Sequence, residues 1–587
     1  MHRLIYILLI ATTLWSCNKD EIIEQDPEAR LPRITFYNST VRYYTEVGAE
    51  LQIVPEYTNC GKDAHYLWTI DGATAGTSPN FAHTWTEPGT YYVTIQATNA
   101  AGSAREEVSV TVTAAGKPMI SLPLAADRIT VLAGAPYSIK ADISNSKSDG
   151  FTVRWSIDGT VVSETELLTF TPPATGTYTV VIEAANASGS SSRQFTIEAV
   201  DKLPIDMAFA PVSHFSTSTT RYTYPGHGIY LRPTIGGATP STYAWTVDGT
   251  AVACTQPYYV FTPSTPGQYT VQLTADGSVT ASVTVVCVDA SPSDHYRRAG
   301  AASSPSASTV YEYCPAPGQF IGDTKPATGM SDNITTLDQA NQWALQRLNA
   351  RQYVSLGAFG GYIVVGFDHS IPASSAKYQF SIQGNSYLNA TTGKGGSNEP
   401  GIVYVMQDVN GNGLPDDGQW YELRGSESAS PSTTALYAVT YFRPASQAMN
   451  VQWTDNLGAT GVVPYLSSFH RQPYYYPAWI DADSYTLSGV CLAPRITQDA
   501  TTGQWNSNPY PWGYADNLGS DSMDSDPLSP GAQSNGFSLS HAALPDGTPV
   551  NLEYIDFIKV QTGVNASMAF LGELSTEVLH FTDLSLK

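Results

Sequence analysis

Tyr66-Leu67-Trp68-Thr69-Ile70-Asp71-Gly72 is written three times along this chain. It returns as Val153-Arg154-Trp155-Ser156-Ile157-Asp158-Gly159 and again as Tyr243-Ala244-Trp245-Thr246-Val247-Asp248-Gly249. Each copy places Trp in an alternating run that ends in Asp-Gly, a dipeptide suited to turning one strand back onto the next. A second motif keeps step: Pro88-Gly89-Thr90-Tyr91, Thr175-Gly176-Thr177-Tyr178 and Pro266-Gly267-Gln268-Tyr269. The repeat length, roughly 90 residues, is that of one small β-sandwich. Asn99-Ala100-Ala101-Gly102 is echoed by Asn186-Ala187-Ser188-Gly189, and Asp276-Gly277 stands there in the third copy.

Within the first copy Val93, Ile95 and Ala97 face one way and Thr94 and Gln96 the other, the pattern of a half-buried strand. The reading is three tandem immunoglobulin-like sandwiches, at 34–115, 116–200 and 201–289. The repeated Trp serves as core anchor or, alternatively, as an exposed stacking platform. The third copy carries an insertion around Ser213 to Tyr224. The Trp-x-hydrophobic-Asp-Gly and Gly-x-Tyr-x-Val patterns resemble PKD-like domains, which implies spacers or protein-contact units that hold the last domain away from a membrane.

Composition agrees with an all-β chain: the 587 residues include 36 Tyr, 47 Gly and 38 Pro. A net charge of −23 disfavours nucleic acid or an anionic membrane surface as partner. Residues 1–16 read as a signal peptide, because Leu4 to Leu14 is apolar and too short to span a bilayer. Leu14-Trp15-Ser16-Cys17 resembles a bacterial lipobox, with Cys17 acylated and 17–33 as a polar tether; ordinary cleavage beside an incidental Cys is the alternative. Lys19-Asp20-Glu21 resembles the signal that sends Bacteroidetes lipoproteins to the outer face of the outer membrane. Of the remaining cysteines, Cys60, Cys254, Cys287, Cys314 and Cys491, the pair Cys254 and Cys287 share one module and are candidates for a bridge.

Residues 290–309, rich in Ser, Pro and Ala, read as a linker. Residues 310–587 read as a larger jelly-roll-type β-sandwich, the expected ligand-binding domain, with one short helix. Thr336 and Gln339 form a capping box for that helix, and Ala340, Trp343, Ala344 and Leu348 share a face. Strands are expected at Tyr362 to Phe367, Ile402 to Met406, Tyr437 to Phe442 and Ile555 to Gln561, among others.

Between two of those strands lies Glu399 to Ser426, EPGIVYVMQDVNGNGLPDDGQWYELRGS. Asp408, Asn410, Asn412, the backbone of Leu414, Asp416 and Asp417 follow the spacing by which a loop wraps calcium, and Gly413 supplies the turn. Position twelve is Gln419 where the helix-loop-helix pattern has Glu, so the expectation is a structural calcium between strands, with an empty polar turn as alternative. Tyr474, Tyr475, Tyr476 and Trp479 in one loop, and Trp505, Tyr510, Trp512 and Tyr514 in another, offer flat faces for a sugar ring or a corrinoid-like macrocycle, or fill a second small core. Asp521, Asp524 and Asp526 form either a second cation site or a solvated loop.

No HExxH, GxSxG or Walker A pattern is present, and Thr392 to Ser397 lacks phosphate-loop spacing. Asp368, Glu399 and Glu422 could supply a glycosidase carboxylate pair, and His369 a base or a structural hydrogen bond. The expectation is a non-catalytic binder. Leu356 to Gly361, Gly366 to His369, Gly384 to Tyr387, Tyr313 to Phe320, Trp512 to Asn517, Ile555 to Thr562 and Leu571 to Glu577, with the 399–417 run, resemble a Bacteroidetes family of PKD-bearing surface lipoproteins. Such proteins are similar to those found beside TonB-dependent cobalamin uptake systems. The resemblance implies an accessory role at that receptor, with cobamide as ligand. A glycan-binding or adhesive surface protein is the alternative, followed by a calcium-dependent glycoside hydrolase.

Overall fold

The computed structural model describes residues 30–36, 42–114, 116–321, 334–388, 396–466, 475–498, 505–523, 533–568 and 572–586. Cys17 and its surroundings, Tyr474, Asp524, Asp526 and 392–395 lie outside them. The chain divides into two compact units, Met1–Ala115 and Gly116–Lys587.

The first unit is one sandwich. Its five-stranded sheet runs in the order Arg42–Glu46, Gly102–Thr113, Gly89–Asn99, His65–Ile70, Ala73–Gly76, with the outer pair Arg42–Glu46 and Gly102–Thr113 parallel. Trp68 is 1% exposed and donates Nε1–H to the Ser78 carbonyl at 2.9 Å, so it is the core anchor and not a stacking platform. Asp71 and Gly72 take φ of 47° and 84°, the conformation of a tight hairpin turn, and Asp71 Oδ1 accepts from Tyr92 N at 2.9 Å. Tyr91 donates its hydroxyl to the Glu87 carbonyl at 2.9 Å, closing a tyrosine corner.

The second unit repeats this build twice. Trp155 and Trp245 bond the Thr165 and Gln256 carbonyls at 3.0 and 2.9 Å, and Tyr178 and Tyr269 close the same corner on Ala174 and Thr265. The Asn motif also has a physical role. Asn186 donates to the Gly116 carbonyl at 2.8 Å, pinning the entry of its module. In the third module Asp276 replaces it and accepts from Ser241 N and Thr242 N instead.

The C-terminal part carries an antiparallel six-stranded sheet in the order Thr309–Cys314, Tyr362–Pro372, Tyr554–Thr562, Gly401–Met406, Tyr421–Leu423, Ala542–Ala543. It shares one core with a four-stranded sheet (Thr460–Val463, Val451–Asp455, Thr434–Phe442, Ser484–Cys491) and a three-stranded one (Ser534–Phe537, Phe380–Gln383, His580–Asp583). The helix Leu337–Asn349 has the expected box: Thr336 Oγ1 accepts from Gln339 N, and Gln339 Oε1 from Thr336 N. Its buried face holds Ala340, Ala344 and Leu348 and also Arg347, which donates to the Tyr353 carbonyl. Among the described residues no helix is long and apolar enough to cross a membrane.

Three expectations are corrected. The second and third modules are not free spacers, because both dock on the C-terminal part. Ser121 Oγ accepts from Ala445 N at 2.8 Å, Asp142 from Asn450 Nδ2 at 2.9 Å, and the Lys140 carbonyl from Gln452 Nε2 at 2.8 Å. Phe215, Tyr230 and Val260 of the third module pack against the C-terminal core. The linker is irregular but tied down: Arg297 forms an ion pair with buried Asp556, and the Pro305 carbonyl accepts from Asp583 N at 2.7 Å. Cys254 and Cys287 are free thiols, since Cys287 turns into the module core while Cys254 Sγ donates to the Tyr258 carbonyl.

Candidate functional site

A cleft of about 290 Å³ opens between the insertion of the third module and the six-stranded sheet. Strand register builds its floor. Glu312 pairs with Val364, Val364 with Lys559, and Lys559 with Tyr404, so these side chains form one row on one face. Two residues along, Tyr362 pairs with Gln561 and shares that face. Ala210 to His214 and Pro415 with Trp420 supply the walls, and Thr486 to Ser488 complete the lining.

Lys559 is the centre of the cleft. Its Nζ lies 4.7, 5.0 and 5.4 Å from the ring centroids of Tyr404, Trp420 and Tyr362, a cation boxed by three π faces. Burial pulls its pKa down to about 8, opposed by the charge of Glu312. Tyr362 donates its hydroxyl to Glu312 Oε2 at 2.8 Å, which aims the carboxylate along the row. Burial holds His214, on the opposite wall, below the ordinary histidine range.

The 408–417 loop forms the shoulder of this cleft and gathers the expected residues into one turn. Asp408 accepts from Asn412 N at 3.1 Å and Gly413 N at 2.8 Å. Asn410 and Asn412 donate Nδ2–H to Asp416, and Asn412 Oδ1 accepts from Leu414 N. Asp417, fully buried, accepts from Val409 N and Asn410 N at 2.8 and 3.1 Å. Burial first, then the charges of Asp408 and Asp416, push its pKa up to about 8.

The departure at position twelve has a structural cause. Gln419 Oε1 accepts from Tyr230 N of the third module at 2.8 Å, and the Asp417 carbonyl accepts from Tyr222 N at 3.0 Å. Gly418 (φ 79°) lies under Arg221, where a Cβ would meet the Arg221 Cδ at 2.2 Å. The loop therefore fastens the third module to the sheet.

The aromatic loops do not form the expected face. Tyr475, Tyr476, Trp479, Tyr510 and Tyr514 are buried, and each spends its polar atom inside the protein: Trp479 Nε1 on the Tyr313 carbonyl, Tyr510 on the Ala493 carbonyl, Tyr514 on Glu427 N. Long connecting stretches cover themselves with rings, and that use wins here. Trp505 is half-buried against a small cluster with Tyr510 and Tyr514, and Trp512 is half-buried with its ring 5.0 Å from His541. Asp521 is no solvated acid, since it is buried and accepts from Gly513 N at 2.8 Å. His369 is buried between Asp368 and Asp583, a structural histidine. Glu422 accepts from Ser428, and neither it, Asp368 nor Glu399 lines the cleft.

Lys559, Glu312 and Trp420 were not singled out from sequence, and the module-three insertion was noted there without a functional role. The usable signal was a lysine between Phe557-Ile558 and Val560 in a mostly apolar strand, on the same strand face as Gln561.

No curated protein matches the chain. Similar solved structures include the I-band fragment I67-I69 from titin (15% identity, 44% of this chain and 98% of that one, TM-score 0.13). Others are fibronectin(III)-like modules of CbhA from Clostridium thermocellum (14%, 28% and 94%, 0.15) and a Dscam structure (12%, 44% and 72%, 0.14). Residues 31–99 match the family model for the PKD-like domain and 121–199 that for the PKD domain. Such modules are typically non-catalytic, and no catalytic family is indicated. The chain is a multi-module β-sandwich protein with two recognised PKD-class domains, a domain content that points to a cell-surface or adhesive type of extracellular protein.

Proposed function

We propose that this protein is a surface-exposed, lipid-anchored, non-catalytic binding component of nutrient uptake at the outer membrane, serving cobamide acquisition beside a TonB-dependent transporter. The observation that carries the binding role is the cleft, with a lysine among three rings and a carboxylate in reach. Anchoring rests on the Cys17 lipobox, and the cobamide context on the resemblance over 310–587. A cavity of about 290 Å³ admits one ring-sized polar group. A cobamide would insert a peripheral group, its phosphate facing Lys559, and lie across the mouth. A terminal sugar bearing a carboxylate would fit whole, and that size match supports the second reading, glycan binding.

Isothermal titration of the full chain with cyanocobalamin, and in parallel with a uronic-acid oligosaccharide, tests both. Saturable heat with the first supports the uptake role, with the second alone the glycan role, and with neither removes the cleft as a ligand site. For whichever anionic ligand binds, Lys559→Met should weaken affinity at least tenfold, about 1.4 kcal/mol. The pH dependence has a fixed sign. Lys559 is charged below about 8 and neutral above, so affinity should fall as pH rises through about 8, and the Met variant should lose that slope. Of the groups facing it, Tyr362 and Tyr404 are held above the ordinary tyrosine range and stay neutral in that window, and His214 titrates at lower pH.

We also propose calcium in the 408–417 loop, held by Asp408, Asn410, Asn412, the Leu414 carbonyl, Asp416 and Asp417. Its two amides would turn their oxygens inward when the ion binds. Calcium at a hundred times its Kd should stabilise the C-terminal part by about 2.7 kcal/mol. Asp408→Ala combined with Asp416→Ala should shrink the calcium-dependent rise in Tm. An unchanged rise in that variant would return the loop to an empty turn.

A further inference from the structure

A separate set of oxygens joins three segments of the C-terminal part. Glu399 precedes the strand Gly401–Met406, Asp516 follows the Trp512 turn, and Glu577 opens the short strand Glu577–Val578. One carboxylate oxygen from each lies within 4.8 Å of the other two. Oxygens on opposite sides of one calcium ion, each at about 2.4 Å, are about 4.8 Å apart, so one ion can span the group.

Asp516 and Glu577 are 1% and 3% exposed. Three carboxylates packed this closely, two of them fully buried, repel one another unless protons or a cation lie between them. The neighbouring charges that act on Glu399 are carboxylates too, namely Glu577, Asp516 and Glu573, and all drive its pKa up after burial itself. Asp516 is nevertheless fixed in place. It holds φ at 52°, and its carboxylate accepts from Asn385 N, Ser386 N and Glu577 N at 2.9, 2.8 and 3.0 Å. Backbone strain and three N–H groups are spent on aiming an acid at other acids.

One further observation points to a ligand at the centre. Glu577 Oε1 and Ser386 Oγ, on residues 3% and 1% exposed, are buried without a hydrogen-bond partner.

We propose that Glu399, Asp516 and Glu577 bind one divalent cation, calcium by preference, and that Ser386 lies in its outer shell. The donors are all hard oxygens in an irregular array, which suits calcium. Magnesium demands near-octahedral geometry, and zinc favours nitrogen and sulfur. The ion would staple the entry to the strand Gly401–Met406, the 510–517 turn and the strand Glu577–Val578 together.

The test starts from the full chain stripped with EDTA and titrated with calcium, stoichiometry being read by native mass spectrometry. Asp408→Ala/Asp416→Ala, which removes the loop ligands, should still take up one calcium. Adding Asp516→Asn to that variant should remove it or weaken it at least a hundredfold. Should the added substitution unfold the protein, crystals of the unaltered chain soaked in terbium decide. Anomalous density within about 2.5 Å of the three carboxylates supports the site. A folded Asp516→Asn variant with undiminished uptake, or crystals without density there, overturns it and leaves carboxylates that share protons.

Discussion

Asp556→Ala should cost the C-terminal part about 3–5 kcal/mol. Its carboxylate is 2% exposed and collects four donors from three distant segments. Arg297 Nε and Nη2 reach Oδ1 at 3.3 and 3.1 Å, Ser370 Oγ reaches it at 2.5 Å, and Asp408 N reaches Oδ2 at 2.8 Å. Alanine leaves the Arg297 cation facing a void and a backbone N–H at the start of the 408–417 loop without an acceptor. Asp556→Asn keeps the shape and one acceptor and should cost less. Arg297→Ala should cost less again, because the arginine lies at the rim with about a third of its side chain exposed. Urea unfolding of the three variants checks the order, and a loss below about 1 kcal/mol for Asp556→Ala would remove the residue as a hub.

Trp245→Ala should cost the third module about 3–5 kcal/mol, the range for emptying a large buried aromatic site. The ring is 1% exposed, bonds the Gln256 carbonyl, and touches Phe209 and Tyr259. The effect should reach past the module, since its insertion walls the cleft and its Tyr222 and Tyr230 amides hold the 408–417 loop. Ligand affinity and the calcium-dependent rise in Tm should therefore drop together with module stability. Trp68→Ala, in the separate first unit, should cost a similar amount and leave ligand affinity unchanged. Equal affinity in both variants would argue that the cleft does not need the third module.

Module content was legible because each module states its own rules. Asp-Gly turns, Gly-x-Tyr corners and strand alternation act over fewer than a hundred residues, and the Thr336–Gln339 box acts over four. Docking was not legible. Gln419 reads as a failed calcium ligand until Tyr230, far earlier in the chain, is seen against it. The aromatic loops misled for a related reason. A ring suits a ligand face and a loop cover equally well, and only the partners of Tyr475, Trp479 and Tyr510 distinguish the two uses. Lys559 was hidden in a mostly apolar strand, where its role depends on register with Glu312 and Tyr404.

The fastening of the third module also bears on how such a chain can change over generations. Tandem repeats are commonly treated as interchangeable beads, free to be duplicated, lost or swapped. Here the third bead supplies backbone donors to Gln419 and Asp417 and a wall to the cleft. A copy of the first module spliced into its place would keep the sandwich and lose the fit. Residues 116 to 587, whose second module is also bonded to the C-terminal part, should then be inherited as one block, with recombination tolerated at the junction after residue 115, where the compact units divide.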